Sequence, residues 1–246
     1  QRIGIRSMGR SKRKAKRVED ETSSRPSKKP AGHAALPAGL APVLPPGVHG
    51  RDSLSGLVLE VQTLLEDRDG DAMLAAHPVL TRKECASWMS WGDATGFASE
   101  SHSASKHVAV RDNGRIAVES HAVAGAIFER LRPWLPAEVR GRSLRGCNPN
   151  LRVYRYSPGQ RFGRHVDQAA RVDGVSGGVT EFTVLIYLND EGLEGGETVF
   201  YASHDAPEPL VAFTPRAGSA LVHAHGARCL THEGSQVQSG VKYLLR

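Results

Sequence analysis

The sequence predicts an α+β domain, in which helices come first along the chain and strands follow. Apolar residues recur at helical spacing between residues 53 and 131. From residue 151 onward, short β-rich runs follow one another between clusters of Gly, Pro and Asp. No helical pattern interrupts these runs, so the sequence indicates an antiparallel β-structure supported by helices.

Three helices are predicted in the first half of the chain. The first covers residues 53–65, where Leu and Val recur at helical spacing behind a serine that can cap the start. The second begins at Thr81, which forms a capping-box pattern with Glu84. The third covers residues 123–131 and is ended by Pro133. The region from 51 to 150 is therefore expected to be helix-rich.

Strands are predicted throughout the second half. Each run is rich in Val, Ile, Leu, Tyr and Phe and ends at turn-forming residues. The strand order along the chain, without intervening helices, is typical of a sandwich or barrel. The runs cover residues 151–156, 182–188, 198–201, 210–213, 219–222 and 241–245.

The first fifty residues differ from the rest in composition. The chain of 246 residues carries a formal net charge of +6. Residues 1–30 hold eleven Lys or Arg and three acidic residues, so the remaining residues are nearly neutral. Residues 31–50 contain four Pro and four Gly. We expect residues 1–50 to be a disordered basic tail followed by an unstructured linker, separate from a support region at 51–150 and a core at 151–246.

The charge of the tail bears on location and partners. The dense basic run at residues 11–17 is typical of a nuclear address or a nucleic-acid-binding patch, or it is a solvated tail without a specific partner. No run of eighteen apolar residues and no secretory signal is present, so no membrane association and a cytoplasmic or nuclear location are expected. The three cysteines fit no zinc or redox spacing and are expected to be free.

A metal site is indicated by His165 and Asp167. Residues i and i+2 of a strand share a face, so an imidazole and a carboxylate at this spacing can reach one divalent ion. A second histidine would complete a two-His, one-carboxylate facial triad with three open positions. Spacing alone does not choose among His223, His225 and His232.

Four ordered motifs resemble the prolyl-4-hydroxylase-type branch of the iron(II)- and 2-oxoglutarate-dependent oxygenases. The resemblance is strong from residue 151 onward. It implies a double-stranded β-helix, or jelly roll, with supporting N-terminal helices. The motifs lie at residues 155–167, 185–189, 195–198 and 232–242.

The resemblance also implies a role for individual residues. His165, Asp167 and His232 match the iron ligands, and His232 is preferred because Lys242 follows it at the family's offset. The remaining matches concern the co-substrate. Lys242 and Tyr156 match the residues that hold the distal carboxylate of 2-oxoglutarate, and Thr183 and Tyr187 match positions that line its pocket.

The implied function is a dioxygenase that hydroxylates a second substrate and releases succinate and CO2. A peptidyl prolyl residue or another protein side chain is the leading substrate, and L-ascorbate is implied as reductant. The alternatives are a non-catalytic jelly-roll binding module tethered by a basic tail, and an oxygenase acting on nucleic acid or a small molecule.

Overall fold

The structure of the protein is a computed structural model. It describes residues 32–35, 43–46, 58–66, 72–102, 109–172 and 178–246. The basic run at 11–17 lies outside these residues, as does most of the expected tail. No helix within the described part of the chain is long and apolar enough to cross a membrane.

Two α-helices and seventeen strands make up the described fold, with 3₁₀ turns at Arg132–Trp134 and Gly226–Arg228. The helices are α1 (Arg82–Thr95) and α2 (His121–Leu131). The strands are β1 (Gly32–Ala35), β2 (Val58–Glu66), β3 (Ala72–His77), β4 (Ala98–His102), β5 (Arg111–Glu119), β6 (Glu138–Val139), β7 (Arg142–Ser143), β8 (Asn150–Tyr156), β9 (Phe162–His165), β10 (Phe182–Tyr187), β11 (Glu194–Gly195), β12 (Thr198–Tyr201), β13 (Pro209–Phe213), β14 (Ala220–Ala224), β15 (Thr231–Gly234), β16 (Val237–Ser239) and β17 (Lys242–Leu245).

One antiparallel sheet of thirteen strands dominates the described residues. Its order is β1-β2-β3-β14-β10-β17-β8-β5-β9-β15-β12-β13, and β4 pairs with β5. The strands β14, β10, β17 and β8 form what we call the first wall, and β9, β15, β12 and β13 form the second wall. Ring contacts such as Tyr187–Phe213, with centroids 5.2 Å apart, join the walls across the interior. The result is the nearly closed jelly-roll barrel that the sequence predicts.

The two faces of the first wall pack against different cores. Ile186 on β10 belongs to the cluster that also holds Trp88 and Ile127 from the helices. Its neighbours Leu185 and Tyr187 belong to a second cluster inside the barrel. Alternate residues of a strand point to opposite faces, so burial on both sides explains the almost continuous apolar sequence of β10.

Most predicted elements are present. The capping box at the start of α1 has both of its hydrogen bonds, between Thr81 and Glu84. Helix α2 covers the predicted third helix and ends before Pro133, which lies in a 3₁₀ turn. All six predicted strand runs correspond to strands, namely β8, β10, β12, β13, β14 and β17.

The helix predicted over residues 53–65 is wrong for its described part. Residues 58–66 form β2, and 53–57 lie outside the described residues. Exposure alternates along its start: Val58 is 50% exposed, Leu59 is fully buried, and Val61 is 6% exposed. β2 pairs with β1 on one side and with β3 on the other, so tertiary hydrogen bonds override the local helical spacing. The first half is therefore less helix-rich than expected.

The expected unstructured linker is also wrong at two places. Residues 32–35 form β1. Val43 is fully buried and bonds to α1 through both of its backbone groups. Its carbonyl oxygen accepts from Trp88 Nε1 at 3.0 Å, and its amide donates to Glu84 Oε1 at 2.7 Å. The side chains that fix this segment lie more than forty residues away, so the local Pro/Gly composition does not reveal them.

A buried ion pair holds this corner of the fold together. Arg130 on α2 donates to both carboxylate oxygens of Glu84, at 2.6 and 2.9 Å, and to the carbonyl of Val79 at 2.6 Å. Both charged side chains are fully buried. Because the Glu84 carboxylate also accepts from the amides of Thr81 and Val43, the pair joins both helices and the N-terminal segment.

We expect Glu84→Gln to destabilise the domain strongly. The substitution keeps the shape but removes the negative charge that faces the buried Arg130 guanidinium, and breaking a buried ion pair from one side costs about 3–5 kcal/mol. Chemical denaturation of both proteins measures the change. Glu191→Gln is the matched control, because Glu191 pairs with Arg82 on an exposed surface, where pairs contribute little. Equal effects of the two substitutions would contradict this account.

Candidate metal centre

Three residues from distant parts of the sequence meet inside the barrel. His165 ends β9, Asp167 follows two residues later, and His232 lies on β15. The antiparallel register of the second wall pairs His165 directly with His232, so their rings lie on the same face with centroids 4.2 Å apart. Strand pairing thus brings together residues separated by a long stretch of sequence.

The donor atoms of these residues converge. Asp167 Oδ1 lies 3.8 Å from His165 Nε2, and Asp167 Oδ2 lies 3.8 Å from His232 Nε2. The three ligand atoms lie within 4.8 Å of one another, close enough to hold one metal ion. Two imidazole nitrogens and one carboxylate are the donor set of the non-haem iron(II) facial triad.

Backbone carbonyls orient both rings. His165 Nδ1 lies 2.8 Å from the Gly163 oxygen, and His232 Nδ1 lies 2.9 Å from the Leu230 oxygen. A carbonyl can only accept, so each Nδ1 carries the proton and each Nε2 keeps its lone pair. Burial lowers the pKa of both rings, that of His165 to about 4, so both are neutral at pH 7. Neutral rings with a free Nε2 are suited to metal binding.

The Asp167 carboxylate is held by partners from several strands. Thr183 Oγ1 donates to Oδ2 at 2.7 Å, and Arg246 Nη2 donates to Oδ1 at 2.9 Å. Burial alone would raise the pKa of Asp167, but Arg246, His232 and the Thr183 hydroxyl hold that pKa below its usual range. The carboxylate is therefore ionised at neutral pH, as a metal ligand must be.

A third histidine faces the same carboxylate. His223 Nε2 lies 4.0 Å from Asp167 Oδ2, and its ring centroid is 4.7 Å from that of His232. Its neighbour His225 instead lies 3.1 Å from Thr183 Oγ1 through Nδ1. The spacing argument left His223 and His225 as competitors of His232. The structure places His232 with His165 and Asp167, and adds His223 beside them.

A buried lysine forms a second feature of the barrel interior. Lys242 is 3% exposed, and its Nζ donates to the Gly196 carbonyl at 2.6 Å. The ammonium lies 5.5 Å from the ring centre of Tyr156 and 5.4 Å from that of Tyr187. Burial lowers the pKa of Lys242 to about 8, an effect that Glu197 partly opposes.

The lysine lies next to the group formed by His165, Asp167, His223 and His232, which we call the histidine cluster. A Cβ added to Gly234, two residues beyond His232 on β15, would lie 4.0 Å from Lys242 Nζ. Gly196 has a φ of 73°, and a Cβ there would lie 3.1 Å from Lys242 Cδ. Glycine at 196 therefore allows the turn and leaves room for the lysine. A buried cation beside a metal-binding cluster can receive an anionic group.

Of the residues predicted to bind the co-substrate, some lie beside Lys242 and one lies beside the metal-binding residues. Tyr156 and Tyr187 flank Lys242, and the Tyr187 hydroxyl donates to Thr198 Oγ1 at 2.7 Å. Thr183 instead contacts Asp167, so the structure does not bring it to the lysine. Thr183 and Tyr187 share one face of β10 but lie towards its opposite ends. Thr183 therefore reaches Asp167, whereas Tyr187 reaches Lys242.

Sequence reasoning missed three contacts of this centre. The Asp167 amide donates to Cys229 Sγ at 3.2 Å, Arg246 pairs with the Asp167 carboxylate, and His223 approaches it. Cys229 is free, as expected from the cysteine spacing, as are Cys85 and Cys147. The sequence analysis named His223 only as an alternative to His232, and no local pattern indicates that both approach Asp167.

Comparisons with known proteins agree with this geometry. Residues 151–246 match the sequence profile of a family described as the 2OG-Fe(II) oxygenase superfamily. The matched segment contains β8 to β17, and with them every residue of the histidine cluster and Lys242. No curated protein matches the chain in a sequence comparison.

Solved structures resemble the fold at low sequence identity. The viral collagen prolyl hydroxylase of Paramecium bursaria Chlorella virus-1, in its 2OG complex, aligns with a TM-score of 0.50 and 18% identity, covering 72% of this chain and 94% of the viral one. A Pseudomonas putida prolyl-4-hydroxylase aligns at 0.43 and 17%, covering 76% and 89%. The structure of OsALKBH1 aligns at 0.48 and 10%, covering 70% and 96%.

The viral structure supports the jelly-roll fold, and the profile match covers the segment that holds the metal-binding residues and Lys242. Residues 151–246 are therefore similar to the 2OG-Fe(II) oxygenase superfamily in sequence profile and in fold.

Proposed function

We propose that the protein is a 2-oxoglutarate-dependent dioxygenase and that His165, Asp167 and His232 hold its catalytic iron(II). The observation that carries this proposal is the convergence of two neutral Nε2 atoms on an ionised carboxylate inside the barrel. The donor set fits the metal, because imidazole and carboxylate suit iron(II) and three protein ligands leave positions for other groups. When bound, iron(II) supplies the oxygen-activating chemistry of the superfamily.

We further propose that Lys242 and Tyr156 hold the distal carboxylate of 2-oxoglutarate. The buried ammonium fits this group because, among the described residues, it contacts one carbonyl oxygen and two aromatic rings, which leave a cation deep in the barrel. A charge-assisted hydrogen bond to a carboxylate is stronger in such a pocket than on the surface. Tyr187 and Thr198 would hold the lysine in place from the first and second walls.

The residues around the iron site have supporting tasks in this proposal. Thr183 keeps the Asp167 carboxylate oriented by donating to Oδ2, and the two carbonyls keep both Nε2 atoms directed at the centre. Both walls exclude water from the interior, since Phe200 and Leu221 are fully buried there. The dry surroundings strengthen every polar contact made to the co-substrate.

We expect Lys242→Met to raise the 2-oxoglutarate concentration required for half-maximal turnover. Losing one charge-assisted hydrogen bond costs about 1.5–3 kcal/mol, which corresponds to about tenfold to a hundredfold in affinity. Titration of 2-oxoglutarate at saturating iron measures the effect, and metal binding without 2-oxoglutarate should be nearly unchanged. Tyr156→Phe should act in the same direction but more weakly. Unchanged 2-oxoglutarate dependence in Lys242→Met would exclude Lys242 as the anchor.

The affinity for 2-oxoglutarate should also depend on pH. The pKa of Lys242 is lowered to about 8, so the lysine is charged below that pH and becomes neutral above it. The affinity should therefore be constant below about pH 8 and fall by up to about tenfold per pH unit above it. Binding measured from pH 6.5 to 9.5 tests this. Lys242→Arg should remove the decrease, because an arginine stays charged throughout; a decrease that persists in that variant would contradict the assignment.

For the second substrate, we propose a prolyl residue or another side chain of a protein or peptide. Support comes from the four motifs between residues 155 and 242, which resemble the prolyl-4-hydroxylase branch. The viral neighbour with the same fold is a collagen prolyl hydroxylase. L-Ascorbate would serve as the reductant that keeps the iron in its active state.

The substrate proposal predicts peptide-stimulated turnover. With iron(II), 2-oxoglutarate and ascorbate, proline-rich peptides should increase succinate release and gain the mass of one oxygen atom. His232→Ala should abolish both signals, whereas His121→Ala should not, because His121 is exposed on α2 away from the centre. Stimulation by methylated nucleic acid or a small amino acid, and by no peptide, would overturn the proposed substrate class.

A further inference from the structure

His225 is a buried histidine outside the three metal-binding residues. It directly follows β14, and its backbone amide continues the pairing with β10 by donating to the Glu181 carbonyl at 3.1 Å. The next residue, Gly226, donates its amide to the backbone carbonyl of Asp167 at 2.8 Å. The backbone at this point is therefore fixed both to β10 and to the segment that carries Asp167. The His225 side chain is 7% exposed and lies in the interior.

A chain of two hydrogen bonds links His225 to the metal-binding carboxylate. His225 Nδ1 lies 3.1 Å from Thr183 Oγ1, which lies 2.7 Å from Asp167 Oδ2. Thr183 is 3% exposed, so bulk water does not compete for its hydroxyl. The strand register explains the contact, because Thr183 pairs with His223, and His225 is the diagonal neighbour that a long side chain can still connect.

The directions of these two hydrogen bonds follow from the groups that form them. A hydroxyl carries one proton, and the ionised Asp167 carboxylate can only accept. The Thr183 proton must therefore point to Asp167, and the oxygen of the same hydroxyl must accept from His225. This requires a proton on Nδ1 of His225. The ring then fixes the Thr183 hydroxyl in the rotation that serves Asp167.

The other nitrogen of the ring is left unsatisfied. His225 Nε2 is buried and has no hydrogen-bond partner within the described part of the chain. A buried polar atom without a partner destabilises a fold. An apolar side chain of similar size would fill the same space without that penalty, so packing alone does not account for a histidine at this position. The hydrogen bond from Nδ1 to Thr183 does.

We propose that His225 is a positioning residue for the metal centre, which acts on Asp167 through the Thr183 hydroxyl. The inference rests on the proposed iron site and adds a residue that reaches the carboxylate through a hydroxyl rather than directly. By holding the hydroxyl proton towards Oδ2, His225 keeps the carboxylate in the orientation that faces His165 and His232. Outer partners of metal ligands commonly orient them in this way.

A double-mutant cycle on zinc(II) affinity tests the proposal without turnover. Affinity is measured by chelator competition in the absence of 2-oxoglutarate. His225→Leu removes one hydrogen bond and should weaken zinc(II) binding by about twofold to tenfold. Thr183→Val removes the direct partner of Asp167 and should weaken it by about tenfold or more. The double variant should bind no more weakly than Thr183→Val alone, because His225 acts only through the hydroxyl.

Two further variants separate positioning from packing. His225→Asn should bind zinc(II) as tightly as the unmodified protein, because the asparagine amide can donate from about the position of Nδ1. His121→Leu is the matched control for the loss of a histidine, since His121 is exposed on α2, and its zinc(II) affinity should be unchanged. Additive effects of His225→Leu and Thr183→Val, or an equal loss in His225→Asn and His225→Leu, would overturn the proposal.

Nitrogen NMR of the unmodified protein does not depend on whether any variant folds. With ¹⁵N-labelled histidine, long-range ¹H–¹⁵N spectra of the metal-free protein report which ring nitrogens carry a proton. We expect a proton on Nδ1 of His225. An Nδ1 without a proton could only accept, so that result would exclude the hydrogen bond to Thr183 on which the proposal depends.

The two proposals fail in different ways. If Asp167→Asn leaves zinc(II) binding unchanged, the iron site itself is wrong and the role of His225 falls with it. If Asp167→Asn loses zinc(II) while His225→Leu binds it as tightly as the unmodified protein, the iron site stands and only the role of His225 is excluded.

Discussion

The Asp167 carboxylate is the group on which the architecture of the centre depends. It follows β9 of the second wall, yet its hydrogen-bond donors Thr183 and Arg246 belong to the first wall. A buried carboxylate is unfavourable without such partners. The walls must therefore stay in register for its charge to be satisfied, and that register is also what brings His165 opposite His232.

The Lys242 ammonium is a second buried charge in the barrel, opposite in sign to the Asp167 carboxylate. It is buried against a carbonyl and two tyrosine rings, so the barrel contains one positive site close to a negative one. The two sites lie near one strand, because His232 and Gly234 are both on β15. A ligand with a chelating end and a distal carboxylate could satisfy both sites together.

The second half of the fold was predictable because its signals are local. Strands such as β10 are nearly continuous apolar runs between turns, and the motif that contains His165 and Asp167 is compact. The division of roles between Thr183 and Tyr187 was not predictable, since it depends on which wall faces each end of β10. The approach of His223 to Asp167 in addition to His232 was not predictable for a related reason, because a histidine in an apolar strand does not reveal what lies across the barrel.

The errors in the first half have a common physical origin. Residues 58–65 fit helical spacing and strand alternation equally well, and pairing with β1 and β3 decides between them. Val43 lies in a segment whose composition indicates a linker, but Trp88 and Glu84 bind its backbone. In both places the deciding partner is distant in sequence, so no local pattern contains it.

The central claim is that the histidine cluster and Lys242 are two ends of one site for a single co-substrate. The most direct test is the binding of 2-oxoglutarate by calorimetry without oxygen, with and without iron(II). A shared site predicts that iron(II) tightens 2-oxoglutarate binding, and that 2-oxoglutarate tightens iron binding by the same factor, as linkage requires. Equal 2-oxoglutarate affinity with and without the metal would contradict the account, because the two ends would then bind different molecules.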